Sequence, residues 1–447
     1  MMRVDPVRRL GLPIYLALVC LAGCAVYHTA PLPSAPDLAS VPSLTIPASE
    51  FWLPGMEPHP FPANGLDETA VVTLAVFNDP DLRAARLQAG VARAQLVQSG
   101  LLPNPQLNAD FEKSALNYGG DIGLTEDLQA LITRGAVKAA ARANQRQVHL
   151  DILWQEWQVA QMARQLFIRM RSDEQLRGLL ISTREFLTER YREDNAAMQK
   201  GDLTLNAVTA DLTVLTNSEA KLRQLEVDEN SAGHQLNALL GLKPDAQLRL
   251  IGSTNAGALS KNQLDEAIAA LPHRRADLLA LQAGYEAQEQ RVREAVVAQF
   301  PDLSAGVVFS RDPAEGVNDL GPEVSLSLPI FNRNQGQIEI QRATRAALRQ
   351  TYQARLDQAS GQAHQVWEAT KIMDRQLGEL DARLTILRHT ESAAKKSFEE
   401  GNLSAALYVQ TELSLLSAEA EDIQLRAARD RAESVLDTLL GIPFKAS

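Results

Sequence analysis

The chain has 447 residues, with 44 lysines and arginines against 55 aspartates and glutamates, for a formal net charge of −11 at pH 7. That acidity argues against a nucleic-acid binder, which needs a basic face. The length allows two or three ordinary domains or one large repeated unit, and the only cysteines are Cys20 and Cys24.

Arg3, Arg8 and Arg9 precede a short apolar run over 10–19. A basic start, a short apolar core and small residues before a cut describe a secretory signal. The run is too short to cross a bilayer as a helix of about 20 residues. Leu21-Ala22-Gly23-Cys24 resembles the bacterial lipoprotein signal, which implies that residues 1–23 are removed and that Cys24 becomes the lipidated first residue. Ala25, not Asp, follows the cysteine, and the sorting pattern of such lipoproteins then implies the outer membrane. With Cys20 lost and Cys24 acylated, the mature chain is expected to hold neither disulfide nor free thiol. No later apolar stretch approaches 18 residues, so any crossing of a bilayer falls to β-strands. Residues 24–66 carry nine prolines and are expected to form an extended tether.

From there one pattern runs twice, over 67–250 and 262–447. Asp81-Leu82 and Asp277-Leu278 each open an alanine-rich helical stretch, and each leads 24 residues later to Pro105-Gln106-Leu107 or Pro301-Asp302-Leu303. Gly201-Asp202-Leu203-Thr204 matches Gly401-Asn402-Leu403-Ser404, and Leu239-Leu240-Gly241-Leu242 matches Leu439-Leu440-Gly441-Ile442, both at an offset of 200. Landmarks in order at near-constant offset mark a tandem duplication. No proline lies between Pro105 and Pro244 or between Pro329 and Pro443, so those stretches can hold very long helices. From Arg134 to the Gly201 turn, a helix of ~67 residues would run roughly 100 Å and pack as a coiled coil.

Before each long helix the apolar period changes to two. Strands are expected at about 106–113, 119–128, 302–310 and 322–330. Leu107, Ala109 and Phe111 alternate with Asn108, Asp110 and Glu112; Val307 and Phe309 alternate with Gly306 and Ser304. Asn117 to Gly120, and Asp312-Pro313 through Gly316 and Asn318, supply turns. The alternation suits a transmembrane barrel, with lipid outside and water inside, and equally a half-buried soluble sheet. Four strands cannot close a barrel, whose minimum is about eight, and lipid tolerates no open edge. Membrane-spanning strands would therefore require several chains to share one barrel.

These duplicated blocks, the paired Gly-x-Leu-Thr/Ser turns, the repeat ends, and Ser327-Leu328-Pro329-Ile330-Phe331-Asn332 ahead of a long helix resemble the TolC superfamily of outer-membrane efflux proteins over about 67–447. The resemblance implies a mostly α fold with a small β part: a homotrimer whose four strands per chain form a twelve-stranded β-barrel, continuous with an α-helical periplasmic barrel. It implies an outer-membrane exit duct, lipid-anchored with a long periplasmic part, driven by an inner-membrane RND-type pump through a periplasmic adaptor. The adaptor contacts would be the turns at Gly201, Leu203 and Thr204 and at Gly401, Leu403 and Ser404. Asp194, Asp202, Glu399 and Glu400 cluster in sequence around them as a candidate acidic entrance. Gly100-Leu101-Leu102-Pro103-Asn104-Pro105 resembles the heavy-metal (CzcC-like) branch, although the seven scattered histidines show no metal-ligand spacing. Small molecules and metal cations both stay open as cargo, and no cofactor is expected. The alternative is a periplasmic adaptor lipoprotein, which usually has one helical hairpin rather than two. No phosphate-binding loop, nucleophile elbow or His-Glu-x-x-His is present, so an enzyme is not expected.

Overall fold

The computed structural model describes residues 27–40, 65–113, 118–252, 259–312, 315 and 317–442. The leader, Cys24, most of the 24–66 tether and parts of both strand turns lie outside the described residues. The first repeat runs α1 (Glu68–Asn78), α2 (Pro80–Ser99), β1 (Gln106–Lys113), β2 (Tyr118–Asp127), α3 (Leu128–Lys200) and α4 (Leu205–Leu239). The second repeats the order as α5 (Lys261–Arg274), α6 (Ala276–Val297), β3 (Leu303–Arg311), β4 (Asn318–Leu326), α7 (Gln335–Glu399) and α8 (Ala405–Leu439).

Local chemistry sets the helix ends. Asp67 caps α1 by accepting from Ala70 N at 2.8 Å, and Asp79 caps α2 through Leu82 N at 2.8 Å, with Pro80 in the first turn where its missing N–H costs nothing. Asp127 caps α3, which then runs 73 residues to Gly201, or about 110 Å. At the far ends of α4 and α8, Gly241 (φ 63°) and Gly441 (φ 65°) adopt the left-handed conformation that ends a helix. A Cβ on Gly241 would sit 2.8 Å from Asn78 O, so the close approach of α1 also requires glycine there.

Equivalent cores fill the two repeats at this level. In the first, Val72 and Leu74 of α1, Phe167 of α3 and Leu236 of α4 pack together, closed by Leu240 and Leu242. In the second, Leu264 of α5, Trp367 of α7 and Leu436 of α8 do so, and Trp367 Nε1 donates to Leu259 O at 2.8 Å. Each such side chain, fully buried, contributes roughly 1.5–3 kcal/mol. Ala39 is also held here, donating to Gly241 O at 2.9 Å and accepting from Lys243 N at 3.0 Å, so the proline-rich segment is pinned at this point. Charged contacts join the repeats: Arg164 of α3 pairs with the buried Glu68 of α1 and, at 2.9 Å, with the half-buried Asp437 of α8. Arg275 grips Asp277 through two bonds of 2.8 and 3.1 Å and lies 4.7 Å over the Trp154 ring of α3. Towards the tips the cores narrow to leucine seams, Leu176, Leu180, Leu222 and Leu225 in the first hairpin and Leu380, Leu384 and Leu415 in the second, as coiled-coil packing requires.

The four strands form one antiparallel sheet in the order β1-β2-β3-β4, with β1 and β4 as open edges. β4 departs from the sequence expectation of 322–330. It starts at Asn318, pairing with Arg311, and ends at Leu326 opposite Leu303. Turn-forming residues at its start (Asn318, Asp319, Gly321, Pro322) hide the strand, since ladder hydrogen bonds rather than side-chain alternation extend it. Past Ser327, whose N–H donates to Asp302 O at 3.0 Å, Pro329 has no N–H to continue the ladder. Leu328 and Ile330 are therefore exposed beyond the strand end.

Candidate functional site

Two features bear on function, the sheet and the pair of helix tips. The register sorts the sheet into two faces. On one, Leu107, Leu124, Val307 and Pro322 lie in a row, and Ala109, Ile122, Phe309 and Leu320 form the next. Leu107 is 70% exposed and Leu320 is 76% exposed, so none of the described residues of the single chain covers this apolar face. On the other face, Gln106, Thr125, Gly306 and Glu323 form one row, and Asp110, Asp121, Ser310 and Asp319 form another. That second row sets Asp110 directly opposite Asp121, a costly like-charge pairing. Sequence reading noted the polar alternation but missed the carboxylate row, because its three aspartates come from different strands and meet only through register.

The tips come from the α3–α4 and α7–α8 turns. Gly201 (φ 84°) and Gly401 (φ 76°) are left-handed. In each, the next residue's N–H reaches back to the helix: Asp202 N to Ala197 O at 3.0 Å and Asn402 N to Ser397 O at 2.8 Å. A Cβ at either glycine meets nothing within 4 Å, so the sign of φ, not space, selects glycine. Ser404 Oγ accepts from Leu407 N at 3.4 Å, whereas Thr204 occupies the equivalent position without a side-chain cap. Leu203 and Leu403 are half-buried. Leu205 (67% exposed) and Leu407 (50% exposed) extend the apolar surface of the tips; sequence reading passed over both as helix residues, although each lies just past a cap.

Of the four candidate entrance acids, Asp202, Glu399 and Glu400 are exposed at the tips. Asp194 does not join them: it is buried on α3 and ion-paired to Arg190 one turn back. The heptad-like seam turns it inward, which position in sequence could not reveal. Above the second tip, the Tyr408 ring of α8 stacks on Phe398 of α7 at 5.1 Å and meets Phe186 of α3 edge-on at 6.0 Å, tying the two hairpins together. Cys24 lies outside the described residues. Among the described residues, no group of histidine, cysteine and carboxylate side chains could hold a metal ion, and no helix is long and apolar enough to cross a membrane.

Residues 264–442 match the family described as outer membrane efflux protein. No curated protein matches the chain. Among solved structures, the Campylobacter jejuni CmeC outer membrane channel is 16% identical with a TM-score of 0.69, covering 90% of this chain and 95% of that one. CusC, solved in a study of transmembrane channel formation, is 18% identical with a TM-score of 0.69, covering 91% and 99%. The open state of the Neisseria gonorrhoeae MtrE outer membrane channel is 14% identical with a TM-score of 0.64, covering 92% and 100%.

Proposed function

We propose that this chain, whose residues 264–442 match the outer membrane efflux protein family, is the outer-membrane channel of a tripartite efflux system, a passive duct whose cargo is driven by an inner-membrane pump through a periplasmic adaptor. One observation carries the reading: a four-stranded sheet with open edges and one bare apolar face stands on two helices roughly 100–110 Å long. Such a sheet has no stable existence alone in lipid or in water. Three copies joined edge to edge give twelve strands, enough to enclose a water-filled lumen. The row of Leu107 and Val307 then faces lipid and the row of Asp110 and Asp121 faces water. The helices continue the wall into the periplasm. Leu203 and Leu403, with Leu205 and Leu407, offer the adaptor an apolar tip, and Cys24 anchors the mature N-terminus in the membrane. The adaptor alternative lacks support, because a single-hairpin adaptor needs no second repeat and no bare sheet.

The test is the particle itself. Protein extracted from outer membranes in detergent is expected to have the mass of a trimer and to form discrete conductances in a planar bilayer. A monomer that conducts nothing would sink the reading.

A further inference from the structure

We propose that the rim of the sheet farthest from the helices carries, on its apolar face, a docking site for a phosphate-bearing lipid headgroup of the outer leaflet, held by Lys113 and Arg311. The inference rests on the duct reading, which decides that this face meets lipid. Charge is divided unequally between the two faces. Asp110, Glu112, Asp121, Asp127, Asp319 and Glu323 fall by register on the face assigned to water. Glu126 sits on the other face, at the end next to the helices. Lys113 and Arg311 are the only basic residues of the four strands. Alternation puts both on the apolar face, at its distal end. Among the described residues neither forms an ion pair. Of the acids beside them in sequence, Glu112 alternates onto the opposite face, and Asp312 accepts from Glu315 N at 3.2 Å within the hairpin.

Register also gives the site a shape. Phe111, Gly120, Arg311 and Asn318 form the last full row of this face, and Lys113 opposite Tyr118 lies one step beyond. Gly120 places no side chain between Phe111 and Arg311, which leaves a notch floored by backbone. Neighbouring strands are about 4.8 Å apart and successive residues of one face about 7 Å apart, so the Cα atoms of Lys113 and Arg311 are roughly 12 Å apart. Two side chains of that length can close on one headgroup. The Lys113 ammonium lies 5.3 Å over the Tyr118 ring, and the exposed Phe111 and Tyr118 flank the notch. The next row towards the helices, Ala109, Ile122, Phe309 and Leu320, is apolar throughout. Basic groups above an apolar slope complement a lipid, whose phosphate sits above its acyl chains; a free anion would leave the slope unused. Arg311 can grip a phosphate through two parallel N–H groups, and Lys113 adds a point charge. The placement also fits the cost of charge: a cation on a lipid face is expensive at mid-bilayer and nearly free at the interface. The helices leave from the opposite end of the sheet, so this rim lies in the outer leaflet.

The experiment adds diphosphoryl lipid A, or the same lipid stripped of its phosphates, to the intact detergent-solubilised oligomer and measures bound lipid by native mass spectrometry. The phosphorylated lipid is expected to bind at least roughly tenfold more tightly, and Lys113→Gln/Arg311→Gln to remove that preference, since each basic residue beside an anionic lipid surface contributes about fivefold. If the double variant does not assemble, the two single variants carry the test, each expected to lose part of the preference. Equal binding of the two lipids by the unsubstituted protein overturns the site. So does an assembled variant that keeps the full preference. Inorganic phosphate that displaces the lipid at equal concentration overturns it as well, because the site would then be one for a free anion. Conductance of the same samples separates the two readings. A conducting particle with no phosphate preference removes the lipid site alone. A non-conducting particle whose preference depends on Lys113 and Arg311 removes the duct and leaves the site.

Discussion

Glu433 shows how a single buried group shapes stability. Its Oε1 lies 2.7 Å from Arg429, while its Oε2 has no hydrogen-bond partner. Burial raises its carboxyl to about 7 in spite of Arg429, with Asp430, Asp374 and Asp437 adding to the shift. The folded chain thus holds a proton that the unfolded chain releases near 4.5. The resulting stability is complete below that pH and is lost as pH rises to about 7. Glu433→Gln is expected to flatten denaturation midpoints between pH 5 and 8 and to gain about 1 kcal/mol at pH 8; an unchanged slope would remove Glu433 as its source. At the tips, Leu203→Asp with Leu403→Asp places charge on the surface offered to the adaptor. Drug or metal efflux in cells is expected to fall at least about tenfold at equal protein levels, because charge at the centre of a small apolar contact costs more than 1.4 kcal/mol. Undiminished efflux together with unchanged adaptor crosslinking would separate these leucines from docking.

Among the elements, the strands give the sharpest mutational contrast. Leu107→Arg or Val307→Arg puts a cation on the face assigned to lipid and is expected to cost roughly 2–4 kcal/mol near mid-bilayer. Arginine at Asn108 or Ser304, on the opposite face, is expected to cost much less. Yield of folded, heat-modifiable oligomer in the outer membrane measures the order, and a reversed order would turn the sheet inside out. The same strands show what a sequence can disclose. β1 was legible because Gln106–Glu112 alternates without a break, and only Lys113 at its end falls out of phase. The start of β4 was not, since Asn318, Asp319, Gly321 and Pro322 prefer turns and only the partner strand overrules them. The long helices were legible from absent prolines and from glycines that end them. The burial of Asp194 was not, because which face of a coiled-coil helix turns inward at its last turns depends on the partner helix. The tip turns were readable as turns through their glycines, whereas the apolar surface of Leu205 and Leu407 appears only when exposure is known.

For the whole molecule, anchoring and assembly are separable. Cys24→Ser is expected to abolish the acyl mass on the mature N-terminus while leaving the oligomer in the membrane, held by its strands. Mass spectrometry of the N-terminal peptide checks the first part and sedimentation of membranes the second; loss of the protein from the membrane fraction would make the lipid its main hold. The aspartate row of the sheet carries a consequence for the interior that the helices do not. Carboxylates facing one another across strands repel by several kcal/mol in a medium as poorly polarisable as packed side chains, and by about 1 kcal/mol in water. A narrow barrel stuffed with its own residues, as eight strands would make, is incompatible with Asp110 opposite Asp121. The sheet therefore demands a wide, wet bore even before the number of chains is counted. In the proposed trimer, three copies of the row would make that bore a belt of fixed negative charge, one that gathers cations and thins anions within about 10 Å of the wall at 0.1 M salt, and fades as salt is raised.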